Sequence, residues 1–247
     1  MTNPPSLGTG SKLDFHAPLS AERADRLTTG LAAAEPSTVL DLGCGWGRLL
    51  LRVLAAVPEA RGTGVDVYGP DLVRGRADAA ARGLSDRVTF VEGPAEEHLG
   101  TADLVLSVGA WHAFGDSPSI PHTLRTLRPL VNPGGRLLFA AEFWERTPTD
   151  KELAGMWPGT SADTYTDLAG LVDQAVAAGF RPLRIETAGK GEWEEFESGF
   201  TADVEEWLVA NPDHPGAEAA RAEVDQHRSY WLRGYRDVWG FAFLTLG

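Results

Sequence analysis

One glycine-rich stretch most constrains what this chain can fold into. Residues 38–47 read T-V-L-D-L-G-C-G-W-G, a short aliphatic run followed by three glycines at every second position. Val39, Leu40 and Leu42 suit a strand that is buried on both faces, as in a parallel sheet. A helix with one apolar side follows, and a proline ends it. This order predicts the first βαβ unit of a Rossmann-like sheet, with a ligand lying against the glycine backbone.

An acid next to the glycines narrows the choice of ligand. The fingerprint of NAD enzymes places its third glycine three residues after the second, whereas Gly47 follows Gly45 by two. Asp41 stands two residues before Gly43. Its carboxylate would repel a pyrophosphate but could hold an ammonium or a sulfonium. We therefore assign Asp41, Gly43, Cys44 and Gly45 to an S-adenosylmethionine site.

A second acid follows at the distance expected of the next parallel strand. Asp66 lies 21 residues after Gly45, at the end of a predicted strand over 62–67. Its carboxylate can accept hydrogen bonds from both ribose hydroxyls, and Val67 stands beside it. The alternative is a helix-capping aspartate, but Asp71 is better placed to cap the helix predicted over 72–82. We favour ribose binding for Asp66.

At these motifs the chain resembles the class I S-adenosylmethionine-dependent methyltransferases, over about residues 36–188 and the last strand. The resemblance implies a single three-layer α/β Rossmann-like domain with a seven-stranded, mostly parallel sheet whose last strand is antiparallel. An N-terminal lid and a helical insertion before the last strand complete it. The expected parts of the domain 1–247 are a tail and lid helix (1–35), the core (36–188), the insertion (189–238) and the last strand (239–247).

The loop after the third strand departs from the family pattern. In the family this loop commonly carries an acid that meets the adenine amino group, followed by a small residue. Pro94 occupies that place here, which leaves Glu92, Glu96 or the backbone around Ala95 to read the adenine. Pro94, Ala95 and Glu96 are included in the expected cofactor site, as is Gly109 after the fourth strand.

The stretch after the fourth strand supplies the candidate catalytic groups. Ligands of open parallel sheets bind at the carboxyl ends of the strands, where residues 109–115 read G-A-W-H-A-F-G. His112 is the candidate general base, with loop orientation as the alternative role. Glu142 could orient His112, act as the base, bind a cationic substrate or be structural. The candidate acceptor-binding residues are His16, Trp111, Phe114, Trp144, Tyr230 and Arg233.

Composition and missing motifs argue against several classes of partner. The net charge is −13 and the pI about 4.9, so a nucleic-acid partner is not expected. The sequence lacks a signal peptide, a membrane-length apolar run and metal-ligand spacing among its six histidines, which predicts a cytoplasmic protein with no membrane partner and no metal. The acidic residues of 192–206 are expected to form a solvated face; a substrate cap or a homodimer surface is the alternative.

The leading hypothesis is an enzyme that transfers a methyl group from S-adenosylmethionine to an oxygen or nitrogen atom of a small-molecule metabolite. The step would be an in-line displacement with His112 as base. One alternative is a regulatory module that binds S-adenosylmethionine without catalysis, which the missing adenine acid and the long insertion motivate. The other is an NAD-type oxidoreductase, against which Asp41 argues. The acceptor and the oligomeric state stay open at this point.

Overall fold

The computed structural model describes residues 3–247. The strands are β1 (Thr38–Leu42), β2 (Arg61–Asp66), β3 (Val88–Glu92), β4 (Ala102–Val108), β5 (Val131–Trp144), β6 (Pro182–Thr187) and β7 (Trp239–Leu246). The α-helices are α1 (Ala21–Ala32), α2 (Arg48–Ala56), α3 (Gly69–Ala81), α4 (Ile120–Leu127), α5 (Asp150–Ala154), α6 (Leu168–Ala177), α7 (Lys190–Ala210) and α8 (Ala217–Tyr230).

The chain forms two compact units. The sheet unit comprises Ser20–Glu142, Leu168–Thr187 and Phe241–Gly247. The helical unit comprises residues 3–19, Phe143–Asp167 and Ala188–Gly240. The interpretation of 1–247 as one functional domain, with the four parts given above, remains a prediction.

The sheet has the strand order β3-β2-β1-β4-β5-β7-β6. β1 pairs in parallel with both β2 and β4, whereas β7 runs antiparallel to its neighbours β5 and β6. This confirms the expected fold class. Because β1, β2 and β4 are parallel, Asp41, Asp66 and the loop after Val108 come to the same edge of the sheet.

Local sequence accounts for the helices that cover this sheet. Ser20 is a residue type that predicts a helix start, and its hydroxyl accepts a hydrogen bond from the Arg23 amide at 3.2 Å as the N-cap of α1. Helix α2 buries Leu50, Val53 and Leu54, which recur at helical spacing. It ends before Pro58, so its predicted end is confirmed.

Two predicted boundaries in the sheet unit are wrong. Helix α3 begins at Gly69, three residues before the predicted start, so Asp71 lies in its first turn and is not its cap. The sequence N-P-G-G at 132–135 predicts a turn before the fifth strand, but these residues are part of the long strand β5. The register with β4 shifts between Ala102 and Leu104, so a bulge takes up the Pro-Gly-Gly residues without ending the strand.

The helical unit is built on a pair of helices. Val204, Trp207 and Leu208 of α7 form a core with Ala220 and Val224 of α8. The spacing of Val204, Trp207 and Leu208 predicts a short helix, and that of Ala220, Val224 and His227 a longer one, but α7 has 21 residues and α8 has 14. The acidic residues in the first half of α7 interrupt the apolar pattern, so the sequence did not indicate the earlier start of this helix.

The N-terminal residues belong to the helical unit. The Pro-, Gly- and Ser-rich sequence of 1–12 predicts a disordered segment, of which Met1 and Thr2 lie outside the described residues. The Gly8 amide donates to the Phe200 carbonyl at 3.1 Å, and the hydroxyls of Thr9 and Ser11 donate to Asp203. These bonds order the segment, so the disorder prediction is wrong for it. A lid role remains a prediction.

None of the helices within residues 3–247 combines the length and the apolar composition that a bilayer span requires.

Candidate functional site

The glycine loop folds back onto the end of the second strand. The amides of Gly43 and Cys44 both donate to the Val65 carbonyl, at 2.9 and 3.0 Å. Gly43 has φ 75°, and a Cβ placed on it would overlap the Cβ of Ala110. Only glycine therefore fits at this position.

Asp66 is locked to the glycine loop by two backbone hydrogen bonds. Its Oδ2 accepts from the Gly45 amide at 2.7 Å and its Oδ1 accepts from the Tyr68 amide at 2.9 Å. Each carboxylate oxygen has a further lone pair that can accept a hydroxyl proton. The geometry suits a vicinal diol such as a ribose.

Two more carboxylates lie close to Asp66. Burial, with the charge of Asp66 as a smaller cause, raises the pKa of Asp41 to about 8. Burial and Asp66 also raise the pKa of Asp71 to about 6, while Arg74 opposes this shift. Acidic groups clustered in this way can ionise next to a cation, which is what a sulfonium and an ammonium require. The residues therefore fit S-adenosylmethionine.

Asp71 is the site residue that sequence reasoning missed. A Cβ on Gly45 would lie 3.8 Å from its Oδ2, so the carboxyl group reaches the glycine loop. Pro70, a residue favoured in the first turn of a helix, is the signal that could have moved the helix start forward and Asp71 onto this loop.

Cys44 contributes its backbone to the loop. Its thiol donates to the Gly45 carbonyl at 3.3 Å, and burial together with Asp41 and Asp66 holds the thiol pKa above its usual range. The thiol is therefore protonated and a poor nucleophile.

The residues expected around the adenine include an exposed apolar side chain. Val67 directly follows Asp66 and has 68% of its surface exposed. Pro94 precedes a 3₁₀ turn over Ala95–His98, in which Ala95 is buried and Glu96 exposed. The Gly109 amide donates to the Ala140 carbonyl at 2.9 Å. Contacts of these residues with a cofactor remain predictions.

The candidate catalytic residues meet at the ends of β4 and β5. The Trp111 indole N–H donates to Oε2 of Glu142 at 2.8 Å. The exposed ring of His112 lies edge-on to Trp111, with 6.1 Å between ring centroids. The Thr123 hydroxyl donates to the Trp111 carbonyl at 2.9 Å and fixes this 3₁₀ turn. An imidazole and a carboxyl group are thus held at one strand edge.

The pKa of Glu142 is raised, which suits a group that accepts or donates a proton. Burial raises the pKa of this carboxyl, while the Trp111 hydrogen bond and the nearby His112 oppose the rise. The side chain of Phe114, a candidate acceptor-binding residue of the sheet unit, is fully buried.

Four candidate acceptor-binding residues belong to the helical unit. The Trp144 indole donates to the Ala162 carbonyl at 2.9 Å. His16 stacks on Phe200 with 6.0 Å between ring centroids. The ring of Tyr230 lies 4.5 Å from that of Trp157, and Arg233 is exposed. Their roles remain predictions.

Across residues 3–247, His, Cys, Asp and Glu side chains form no cluster of three or more that could hold a metal ion.

Comparisons with known proteins give a consistent picture. Residues 39–135 match the family model described as a methyltransferase domain. "Uncharacterized protein YjhP" of Escherichia coli (strain K12) is 26% identical over 235 residues, which cover 94% of this chain and 93% of that relative.

Two crystal structures share the fold over nearly the whole chain. A SAM-dependent methyltransferase from Geobacter sulfurreducens, solved in complex with S-adenosyl-L-homocysteine, is 25% identical with a TM-score of 0.83, covering 94% of this chain and 93% of that one. Another from Thiobacillus denitrificans, in complex with the same compound, has a TM-score of 0.84 at 24% identity, covering 97% and 96%. Together with the acid and glycine motifs, these matches show that the chain belongs to the class I, Rossmann-like family of S-adenosylmethionine-dependent methyltransferases.

Proposed function

We propose that this protein transfers the methyl group of S-adenosylmethionine to an oxygen or nitrogen atom of a small-molecule metabolite. The observation that carries the proposal is the pairing of Trp111 with Glu142 beside the exposed His112, at the carboxyl ends of neighbouring strands. Parallel sheets bind their ligands at this edge.

Different candidate residues would bind the ribose, the cationic end and the adenine of the cofactor. Asp66 would accept the ribose hydroxyls, while Asp41 and Asp71 would face the cationic end of the cofactor. Val67 and residues 94–96 would border the adenine. When bound, S-adenosylmethionine supplies a methyl group on a sulfonium, which is a good leaving group, so the protein mainly has to align the acceptor and exclude water.

His112 and Glu142 would handle the acceptor proton. The imidazole of His112 has a ring nitrogen that can accept a proton from a hydroxyl or amine. Glu142, held by the Trp111 indole, would orient that proton acceptor or bind a cationic acceptor. Trp111 and Phe114 would form the wall of the pocket in the sheet unit.

The chain's charge supports a small acceptor. A net charge of −13 opposes binding to the phosphate backbone of nucleic acids. We also propose a cytoplasmic location, with which the protonated thiol of Cys44, the only cysteine, is consistent. The remaining part of the proposal is a homodimer formed through the helical insertion.

The proposal is tested with S-adenosylmethionine labelled in its methyl group and a panel of phenols, amines, thiols and carboxylic acids. Mass spectrometry of small molecules that copurify with the protein would guide the choice of acceptors. Binding of S-adenosylmethionine without any methylated product would contradict enzymatic transfer and favour the regulatory-module alternative.

A variant pair tests the role of His112. His112→Ala should lower kcat by about 10²-fold, the usual contribution of a general base, with an unchanged Kd for S-adenosylmethionine. His122→Ala changes another exposed histidine of the sheet unit, on α4, and should have normal turnover. Normal turnover of His112→Ala would refute the general-base role.

A further inference from the structure

The helical unit contains a buried polar triad apart from the residues used above. Glu197 on α7 lies 2.8 Å from Nε2 of His227 on α8, through its Oε2. Its Oε1 accepts a hydrogen bond from the Tyr235 hydroxyl at 2.7 Å. These three residues are between 3% and 6% exposed. Burying a carboxyl group and an imidazole together is costly, so the arrangement calls for a reason beyond packing.

The hydrogen bonds determine which nitrogen of the His227 ring carries the proton. An ionised carboxylate only accepts hydrogen bonds, so the His227 proton is on Nε2. Burial and Glu197 raise the pKa of Tyr235, which keeps its hydroxyl protonated as the donor to Oε1. Nδ1 of His227 therefore carries a free lone pair in the neutral ring.

That nitrogen has no partner in the protein. Nδ1 of His227 is buried and makes no hydrogen bond with any residue between 3 and 247. Buried polar atoms in native proteins nearly always have a protein, water or ligand partner. A carboxylate that orients one nitrogen of a histidine, while the other is left to accept a proton or hydrogen bond, is a common arrangement in binding and catalytic sites.

The surroundings of the ring are aromatic. Phe200 stacks on His227 with 4.6 Å between ring centroids and an angle of 19° between the planes. Trp157 meets the ring edge-on at 5.4 Å and also contacts Tyr230. Trp157 is itself 40% exposed, so the triad lies one side chain below the surface of the unit. Aromatic walls favour a planar, apolar ligand body.

We propose that this triad is a ligand-binding site of the helical unit, in which Nδ1 of His227 accepts a hydrogen bond from an O–H or N–H group on a planar aromatic molecule. Glu197 holds the donor nitrogen of the ring, and Tyr235 holds Glu197.

Phenol and anisole test the site, because they differ by the single O–H donor. The full-length protein, labelled with ¹⁵N in histidine, is titrated with each compound and followed by long-range ¹H–¹⁵N correlation. We expect an unprotonated Nδ1 on His227 whose signal moves with phenol and not with anisole. One neutral hydrogen bond predicts a Kd for phenol about fivefold lower than for anisole.

Two histidine variants give the control. His227→Phe keeps an aromatic ring against Phe200 and should abolish the preference for phenol. His214→Phe changes a histidine of the same unit whose Nδ1 already accepts from the Gly216 amide at 3.0 Å, and should keep the preference. If His227→Phe does not fold, the shift of Nδ1 in the wild-type protein still decides the question.

The outcomes separate this inference from the proposed function. Equal Kd values with an unmoved Nδ1 signal would mean that a buried water alone occupies the site, and would overturn the inference. Methyl transfer to an acceptor by a protein without the phenol preference would overturn it as well, and leave the function standing. A clear phenol preference without methyl transfer to any acceptor would contradict the function and support the binding site.

Discussion

Replacing Asp41 with asparagine should make the protein less sensitive to rising pH. The pKa of Asp41 rises from 3.8 to about 8 on folding, because the carboxyl group is buried next to Asp66. Between these two values the folded state holds a proton that the unfolded state has released. Stability is therefore present in full below pH 3.8 and is lost progressively until pH 8.

The size of the effect follows from that shift. One proton of difference changes the unfolding free energy by about 1.4 kcal/mol per pH unit, so Asp41 accounts for about 2–3 kcal/mol of lost stability between pH 5 and pH 7. The amide introduced by Asp41→Asn cannot ionise, so the variant should lose that much less over the same interval. Asp71, with a pKa of about 6, adds a smaller loss in both proteins.

Urea unfolding followed by circular dichroism at pH 5 and pH 7 measures the difference. Asp173→Asn replaces an exposed aspartate on α6 of the same unit and should follow the wild-type curve. Equal losses of stability in Asp41→Asn and the wild type would refute the assignment of a protonated Asp41.

The same carboxyl group predicts proton release on cofactor binding. At pH 7 a group with a pKa of about 8 is about 90% protonated, and a nearby sulfonium favours its ionised form. S-adenosylmethionine should therefore release close to one proton, and S-adenosylhomocysteine, which has no sulfonium, fewer. Calorimetry in two buffers of different ionisation enthalpy measures the release. Equal release by both compounds would contradict the role of Asp41.

Three further substitutions test the rest of the site. Asp66→Ala should weaken S-adenosylhomocysteine binding by about tenfold or more in calorimetry, because the ribose loses a charged acceptor; unchanged affinity would exclude ribose binding. Trp111→Phe removes the indole donor and should raise the pKa of Glu142, which moves the acidic limb of the pH–kcat/KM profile to higher pH; an unmoved limb would separate Glu142 from the reaction. Gly43→Ala should lower thermal stability by about 1–3 kcal/mol more than Gly83→Ala, since both have positive φ but only Gly43 faces Ala110; equal losses would contradict the close contact.

Local patterns were sufficient to place the candidate cofactor residues in the fold. Asp41, Gly43 and Asp66 each lie at the end of a short buried strand, and the parallel arrangement of such strands brings their ends together. The placement of these residues therefore followed from strand order, which the spacing of apolar residues already indicates.

Contacts between residues that are far apart in sequence could not be predicted from local patterns. Trp111 and Glu142 were both selected, but their hydrogen bond joins residues 31 apart and depends on how β4 and β5 align. Asp71 was taken as a helix cap because the helix start was placed three residues late.

The burial of Glu197 is the feature that composition predicted least well. It lies in the acidic stretch 192–206, which was interpreted as a solvated face, yet it is 3% exposed. Its burial is possible because His227 and Tyr235 satisfy both carboxylate oxygens, from 30 and 38 residues away. Helical spacing places Glu197 on the face of α7 that also buries Val204 and Leu208, seven and eleven residues later, so the period of the helix was the better guide here.

The discontinuous make-up of the helical unit has a consequence for synthesis on the ribosome. The bonds from Thr9 and Ser11 to Asp203 close a loop of more than 190 residues. At about 5–20 residues per second, the N-terminal segment waits about 10–40 s for its partner to emerge. The strands β1 to β4 lie within residues 38–108 and can pair during that interval, which shortens the effective loop. We expect the nascent chain to form its glycine-loop sheet first, and to complete the helical unit only after α7 has left the exit tunnel.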